Sequence, residues 1–131
     1  MADYARTIVL NCGVDAAVER VEAALAARGF GILTEIDVAA TLRAKLGVDV
    51  PEQRILGACN PALAYEALEI EPSIGLLLPC TVTVRAVAGG RTVVAALDPA
   101  IMITVTGNPA LKPLADRAAE RLADALDTLA A

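Results

Sequence analysis

A chain of 131 residues has the length of one domain with one core, and a composition that is 56% apolar but only 2% aromatic means that Ala, Val, Leu and Ile fill it. With 11 Lys and Arg against 16 Asp and Glu, the formal charge of -5 repels phosphate backbones and anionic lipid surfaces, so neither nucleic acid nor a membrane is expected as a partner. The sequence has no histidine, which excludes imidazole-based triads and removes the commonest general base and zinc ligand.

Thr7, Ile8, Val9 and Leu10 form a β-prone run that stops at the turn-like Asn11-Cys12-Gly13, predicting a first strand. So short a stretch behind Asp3 and Arg6 is neither a signal peptide nor a membrane anchor, and no run reaches the ~20 apolar residues of a bilayer span. Val14, Val18, Val21 and Leu25 recur at spacings that place them on one helix face, with Asp15 near the start and Gly29 at the end. Phe30, Ile32, Thr34 and Ile36 then alternate with Gly31, Leu33 and Glu35, the period of a strand, and Asp37 ends that strand and caps the next element. Val38, Leu42 and Leu46 repeat every fourth position before Gly47 and predict a short helix; 48–53 is a connection.

Residues 54–59 read as a third strand that stops at Asn60-Pro61, an Asn cap followed by a proline at the first helical position. The helix so opened is expected to turn Ala64, Tyr65 and Leu68 inward and to close at Glu71-Pro72-Ser73, with a loop over 69–75. Residues 76–87 are a long β-prone stretch, with Cys80, Val82, Val84 and Ala86 opposite Thr81, Thr83, Arg85 and Val87, and Pro79 marking its beginning. Gly89-Gly90 supplies a tight reversal, and 92–97 returns as the hairpin partner. Residues 101–106 are ambiguous: their β-branched side chains favour a strand, while Asp98-Pro99 resembles a helix opening, and the reading leans to a short helix. After Asn108-Pro109, the residues Leu111, Leu114, Ala118, Leu122, Leu126 and Leu129 mark one face of a terminal helix that covers the sheet. No repeat or linker divides the chain, so a single domain over 1–131 is expected.

The segments Gly29-Phe30, Glu35-Ile36-Asp37, Cys59-Asn60-Pro61, Leu77-Leu78-Pro79-Cys80 and Asp98-Pro99 up to Met102, in this order and spacing, resemble the family called domain of unknown function 302, DUF302. The likeness covers almost the whole chain. It implies a two-layer α+β fold, an antiparallel-rich sheet of about five strands backed by helices with a long C-terminal helix, in a subunit that pairs with a copy of itself. It implies a more helical segment after Asp98-Pro99 than Ile103-Thr104-Val105-Thr106 suggests by itself, and it brings no activity.

Three cysteines, Cys12, Cys59 and Cys80, are an odd number at wide spacing, which fits neither a disulfide framework nor a CxxC metal pair and suits a reducing cytoplasm. Cys59 is the most informative, because a thiol just before an Asn-capped helix start feels the positive end of the helix dipole, which favours thiolate. The competing reading is a small buried hydrophobe closing an apolar strand, and the same competition holds for Cys80. Should the third and fourth strands be neighbours, Cys59 and Cys80 would approach, and with Met102 they would offer soft ligands suited to Cu(I) rather than zinc. Cys12 is incidental. Among the carboxylates, Asp37 and Asp98 are explained as caps and Glu66, Glu69 and Glu71 as solvated groups, leaving Glu35 on its strand as the exception. The glycines form no phosphate cradle, and Arg85 and Arg91 are assigned no role.

The first reading is therefore a non-catalytic binding or assembly domain, a homodimer with a mainly apolar pocket near Glu35, Cys59, Asn60 and Cys80 that takes a small ligand. The alternatives are a redox or sulfur-transfer protein with Cys59 and Cys80 as candidate catalytic thiols, and a Cu(I) site at Cys59, Cys80 and Met102. Nothing in the sequence identifies a cofactor, or decides whether the chain is an enzyme.

Overall fold

The computed structural model describes residues 3–130. Alternating apolar residues build five strands, β1 (Ala5–Leu10), β2 (Gly31–Asp37), β3 (Gln53–Cys59), β4 (Cys80–Val87) and β5 (Arg91–Leu97). They form one sheet in the order β1-β5-β4-β3-β2, with every neighbouring pair antiparallel. The helices are α1 (Val14–Ala26), α2 (Val38–Leu46), α3 (Pro61–Ile70), α4 (Ile101–Thr106) and α5 (Lys112–Ala130), so the fold is α+β. No helix among the described residues is long and apolar enough to cross a membrane.

One face of the sheet carries the main core. Leu56 and Ala58 of β3, Val82 and Val84 of β4, and Val94 and Ala96 of β5 are buried at alternate positions. Against them pack the predicted stripe of α1, Val14, Val18, Val21 and Leu25, and from α5 Leu122, Leu126 and Leu129. The other half of the α5 stripe, Leu114 and Ala118, with Leu111 in the 3₁₀ turn just before α5, continues beyond the sheet into a second cluster with Leu63 and Ala67 of α3, Ile74 and Met102. The long terminal helix thus joins two cores, and Cys59, Cys80 and Met102 line the groove between them.

Three expectations change. The 76–87 strand begins only at Cys80, because 72–77 winds into a 3₁₀ turn that buries Ile74, and Pro79 has no N–H to give a ladder. Helix α3 turns Leu63 and Ala67 inward, leaving Tyr65 and Leu68 exposed; it is apolar nearly all round, so spacing alone does not select its buried stripe. Strand β2 does not keep a single inward face. A register shift between Ile32 and Thr34 puts Ile32 against the core but Thr34 on the far side of the sheet beside Gly57, and Glu35 and Asp37 on the helix side beside Arg54.

Residues 101–106 are helical despite their β-branched side chains. The Asp98 carboxylate accepts from the Ala100 N–H at 2.9 Å, buried Met102 anchors the turn, and Gly107, at φ 66°, closes it with an N–H to the Ile103 carbonyl. Tertiary burial here outweighs intrinsic preference.

Candidate functional site

Two chain reversals bring Cys59, Cys80 and Met102 to the lining of one cavity. Strand β3 ends at Cys59, and the next residue, Asn60, caps α3: its side-chain oxygen accepts the Leu63 N–H at 3.2 Å, with Pro61 at the first helical position. Strand β4 starts at Cys80, whose ladder partner is Ala58, the residue before Cys59. The short helix α4 then carries Met102 to the same place from the far end of the chain.

Cys59, Cys80, Met102 and Asn60 line a small cavity of about 30 Å³ between the sheet end and the second cluster, its walls completed by hydrocarbon from Phe30, Leu63, Leu78 and Leu114. No carboxylate or basic side chain lines it. Cys59 and Cys80 are half-buried free thiols, Met102 is buried, and Asn60 is buried with its oxygen used by the cap. Burial pushes the Cys80 thiol up from its ordinary range, and the charge of Cys59 pushes it further in the same direction, so the two groups lie close enough to feel each other.

The remaining candidates lie elsewhere. Glu35 does not line the cavity; its carboxylate accepts from Arg54 at 2.9 Å, and the same guanidinium meets Asp15 of α1 at 2.8 Å and Asp37 at 3.6 Å. Cys12 packs against the main core and faces Arg20, whose Nη1 lies 3.9 Å from its sulfur. Asp37 caps α2 through the Ala40 N–H, as expected, whereas Asp98 accepts the Ala100 N–H in the turn before α4 and is not its cap. Glu66 pairs with Arg117 at 2.8 Å, and Glu71 accepts from Asn108 at 3.3 Å. Among the described residues no three Cys, Asp or Glu side chains gather as a metal cluster.

Two features escape a reading of sequence. Arg54 is a hub joining α1, β2 and β3, and its signal was a charged residue on the same side of β3 as Leu56 and Ala58. The second is the sheet face away from α1 and α5. A row crosses all five strands there through Thr7, Ala95, Thr83, Ile55 and Ile36, and a parallel row holds Val9, Val93, Arg85 and Gln53. These residues are half-buried or exposed, and Arg85 is the one charge among them.

A resolving thiol acts as thiolate, and the upward shift of Cys80 lowers that fraction near neutral pH.

Comparison with known proteins shows the family and agrees with the fold. The family model described as Domain of unknown function DUF302 matches residues 6–129. Among solved structures, the crystal structure of the uncharacterized conserved protein DUF302 from Bacillus stearothermophilus is similar at 32% identity with a TM-score of 0.89, over 98% of this chain and 99% of that one. No curated protein matches the chain.

Proposed function

The chain belongs to the DUF302 family, and from that premise we propose that it is a non-catalytic assembly and binding domain: a homodimer formed through the uncovered sheet face, with a small-ligand cleft at Cys59 and Cys80. The observation that carries this reading is the face itself. Five strands about 4.8 Å apart and six to eight residues long present a surface of about 500 Å². Two copies face to face would then bury about 1,000 Å², the size at which a specific interface becomes stable. With one charge among nine side chains in the two rows, the face has little to desolvate.

Helix α2 supports the same reading. It has no buried residue, and Leu46, Val48 and Val50 at and after its end are exposed, so its apolar side chains find little cover within one copy. A second copy is the simplest cover. Three free cysteines are consistent with the reducing, cytoplasmic compartment that this reading assumes.

Sedimentation equilibrium at micromolar concentration tests the assembly. The expected mass is twice that of the chain, falling to one chain in the Ala95→Glu variant, which puts a carboxylate inside the five-strand row, between Thr7 and Thr83. A parent protein that stays monomeric, or a variant that dimerises as tightly as the parent, would overturn it.

A further inference from the structure

Resting on the reading of the open sheet face as the contact between two copies, we propose that the depression in that face binds a small aliphatic monocarboxylate, its carboxylate on Arg85 and the second copy closing over it. A lone arginine in a strand is ordinarily explained as a guard against edge pairing. That explanation fails for Arg85, because β4 is the middle strand of the sheet and Arg85 stands in the ladder between Val93 of β5 and Gln53 of β3. Its side chain is exposed and pairs with no carboxylate among the described residues. Glu52 shares a groove beside α2 with Arg85 but forms no ion pair with it, and Arg91, one row nearer the hairpin, is turned to the Ala88 carbonyl at 3.2 Å.

The ground beside Arg85 has the size and lining of a ligand site. Small residues of β1, β5 and β4, among them Ala5, Ala95 and Thr83, leave a depression of about 340 Å³, within the ~300–1,000 Å³ range of small-molecule sites. Along β4 it runs from Arg85 to Thr81, a span of about 13 Å. Val93, Ala95 and Leu97 give it a hydrocarbon floor. The hydroxyls of Thr7, Thr81 and Thr83 stand along it unclaimed by any described residue, whereas those of Thr92 and Thr106 are spent on backbone carbonyls.

Charge selects the ligand. Covering Arg85 with a second copy strips water from its guanidinium, and a buried charge without a partner is costly. The ladder rows through Ala5, Thr7 and Val9 carry no Asp or Glu, so a copy meeting this face with its own brings Arg85 no carboxylate. A ligand carboxylate supplies it, and the planar guanidinium takes such a group through two parallel N–H···O bonds. One cation suits one negative charge, and the net charge of -5 works against a polyanion. The aliphatic part then lies over Val93, Ala95 and Leu97.

The test is isothermal titration of the full chain with octanoate, octanol and octylammonium, repeated on R85M, R85K and R28M. Octanoate should bind, octanol more weakly, and octylammonium not at all. R85M should weaken octanoate by roughly 10-fold or more, the loss of a hydrogen bond to a charged group, and leave octanol unchanged. R85K should recover only part of the affinity, since lysine has no fork. R28M should change nothing, since Arg28 follows α1 on the core side of the sheet. No binding at millimolar octanoate, equal binding of octanol and octanoate, or equal weakening by R85M and R28M would overturn the proposal. If R85M fails to fold, phenylglyoxal modification of the parent, read by peptide mass, takes its place: octanoate should protect Arg85 and leave Arg28 reactive, and equal reaction of the two would count against the site.

Sedimentation with and without octanoate separates this proposal from the dimer on which it rests. Octanoate should tighten the dimer, because it binds between the copies. A dimer that takes no octanoate removes the ligand and keeps the assembly. A monomer that binds it through Arg85 removes the assembly and keeps the site, and a dimer that octanoate splits overturns the placement between copies.

Discussion

Gly57 faces Pro79 so closely that a Cβ at residue 57 would lie 2.7 Å from the proline Cγ, and it would also meet the Thr34 hydroxyl oxygen. Glycine is therefore required at this point by the approach of two neighbouring segments. The substitution Gly57→Ala forces β2, β3 and the residue before β4 apart. We expect a loss of about 1–3 kcal/mol, the usual cost of overpacking, seen as a lower urea midpoint. Thr34→Ala removes one of the two obstacles, so the same change should cost less in that background, and strict additivity of the two would contradict a direct contact between them.

Arg54 joins one cation to three carboxylates, with 20% of its side chain exposed, while Asp15 is 85% and Asp37 48% exposed. Solvent screens most of each pair, and the value lies in the network and in preventing three anions from facing one another. Arg54→Met keeps the packing stem and removes the charge. The expected destabilisation is about 1–2 kcal/mol at low ionic strength, shrinking in molar salt as the freed repulsion is screened. A deficit independent of salt would mean that Arg54 acts through packing instead.

These two residues mark the limit of what the sequence disclosed. The α1 stripe, the inward side of β4, the hairpin at Gly89-Gly90 and the long α5 stripe were legible, because each is a periodic signal within one element. Cys59, Asn60 and Cys80 were legible as candidates, since element ends carry local marks such as the Asn-Pro opening of α3. Three things depend on what an element meets and leave little local mark: the bulge that reverses β2, the buried stripe of an α3 that is apolar nearly all round, and the separation of Glu35 from the thiols. Arg54 shows the difference best, since its partners come from 17 to 39 positions earlier in the chain.

Asn60 anchors the turn that sets Cys59, through its side-chain oxygen on the Leu63 N–H. Asn60→Ala leaves that N–H without its cap and should cost about 1–2 kcal/mol, while Asn60→Ser should recover much of it because serine caps nearly as well. Gly29 lies against the same side chain: at φ 85° it occupies the left-handed region, and a Cβ there would lie 3.0 Å from Asn60 Nδ2. Gly29→Ala therefore combines backbone strain with pressure on the cap, and should destabilise by at least about 1 kcal/mol. In the Asn60→Ala background only the backbone part should remain. Equal costs in the two backgrounds would separate Gly29 from the cap.

Cys80 gives the protein a specific alkaline sensitivity. Its folded-state thiol titrates above its ordinary value because burial disfavours the thiolate, with Cys59 adding to the effect. In the unfolded chain the thiol releases its proton near its ordinary value of about 8.5, whereas the folded chain still holds it. The folded state then binds more protons, and stability falls as pH rises. The contribution is fully present below the unfolded value and is lost between that value and the raised folded one. Cys80→Ala removes this titration, so the stability of the variant should decline less steeply than that of the parent above about pH 8.5, while the two curves run parallel below it. Chemical unfolding at a series of pH values from neutral upward reads the difference directly, and an alkaline slope unchanged by the substitution would show that Cys80 is hydrated in the folded protein.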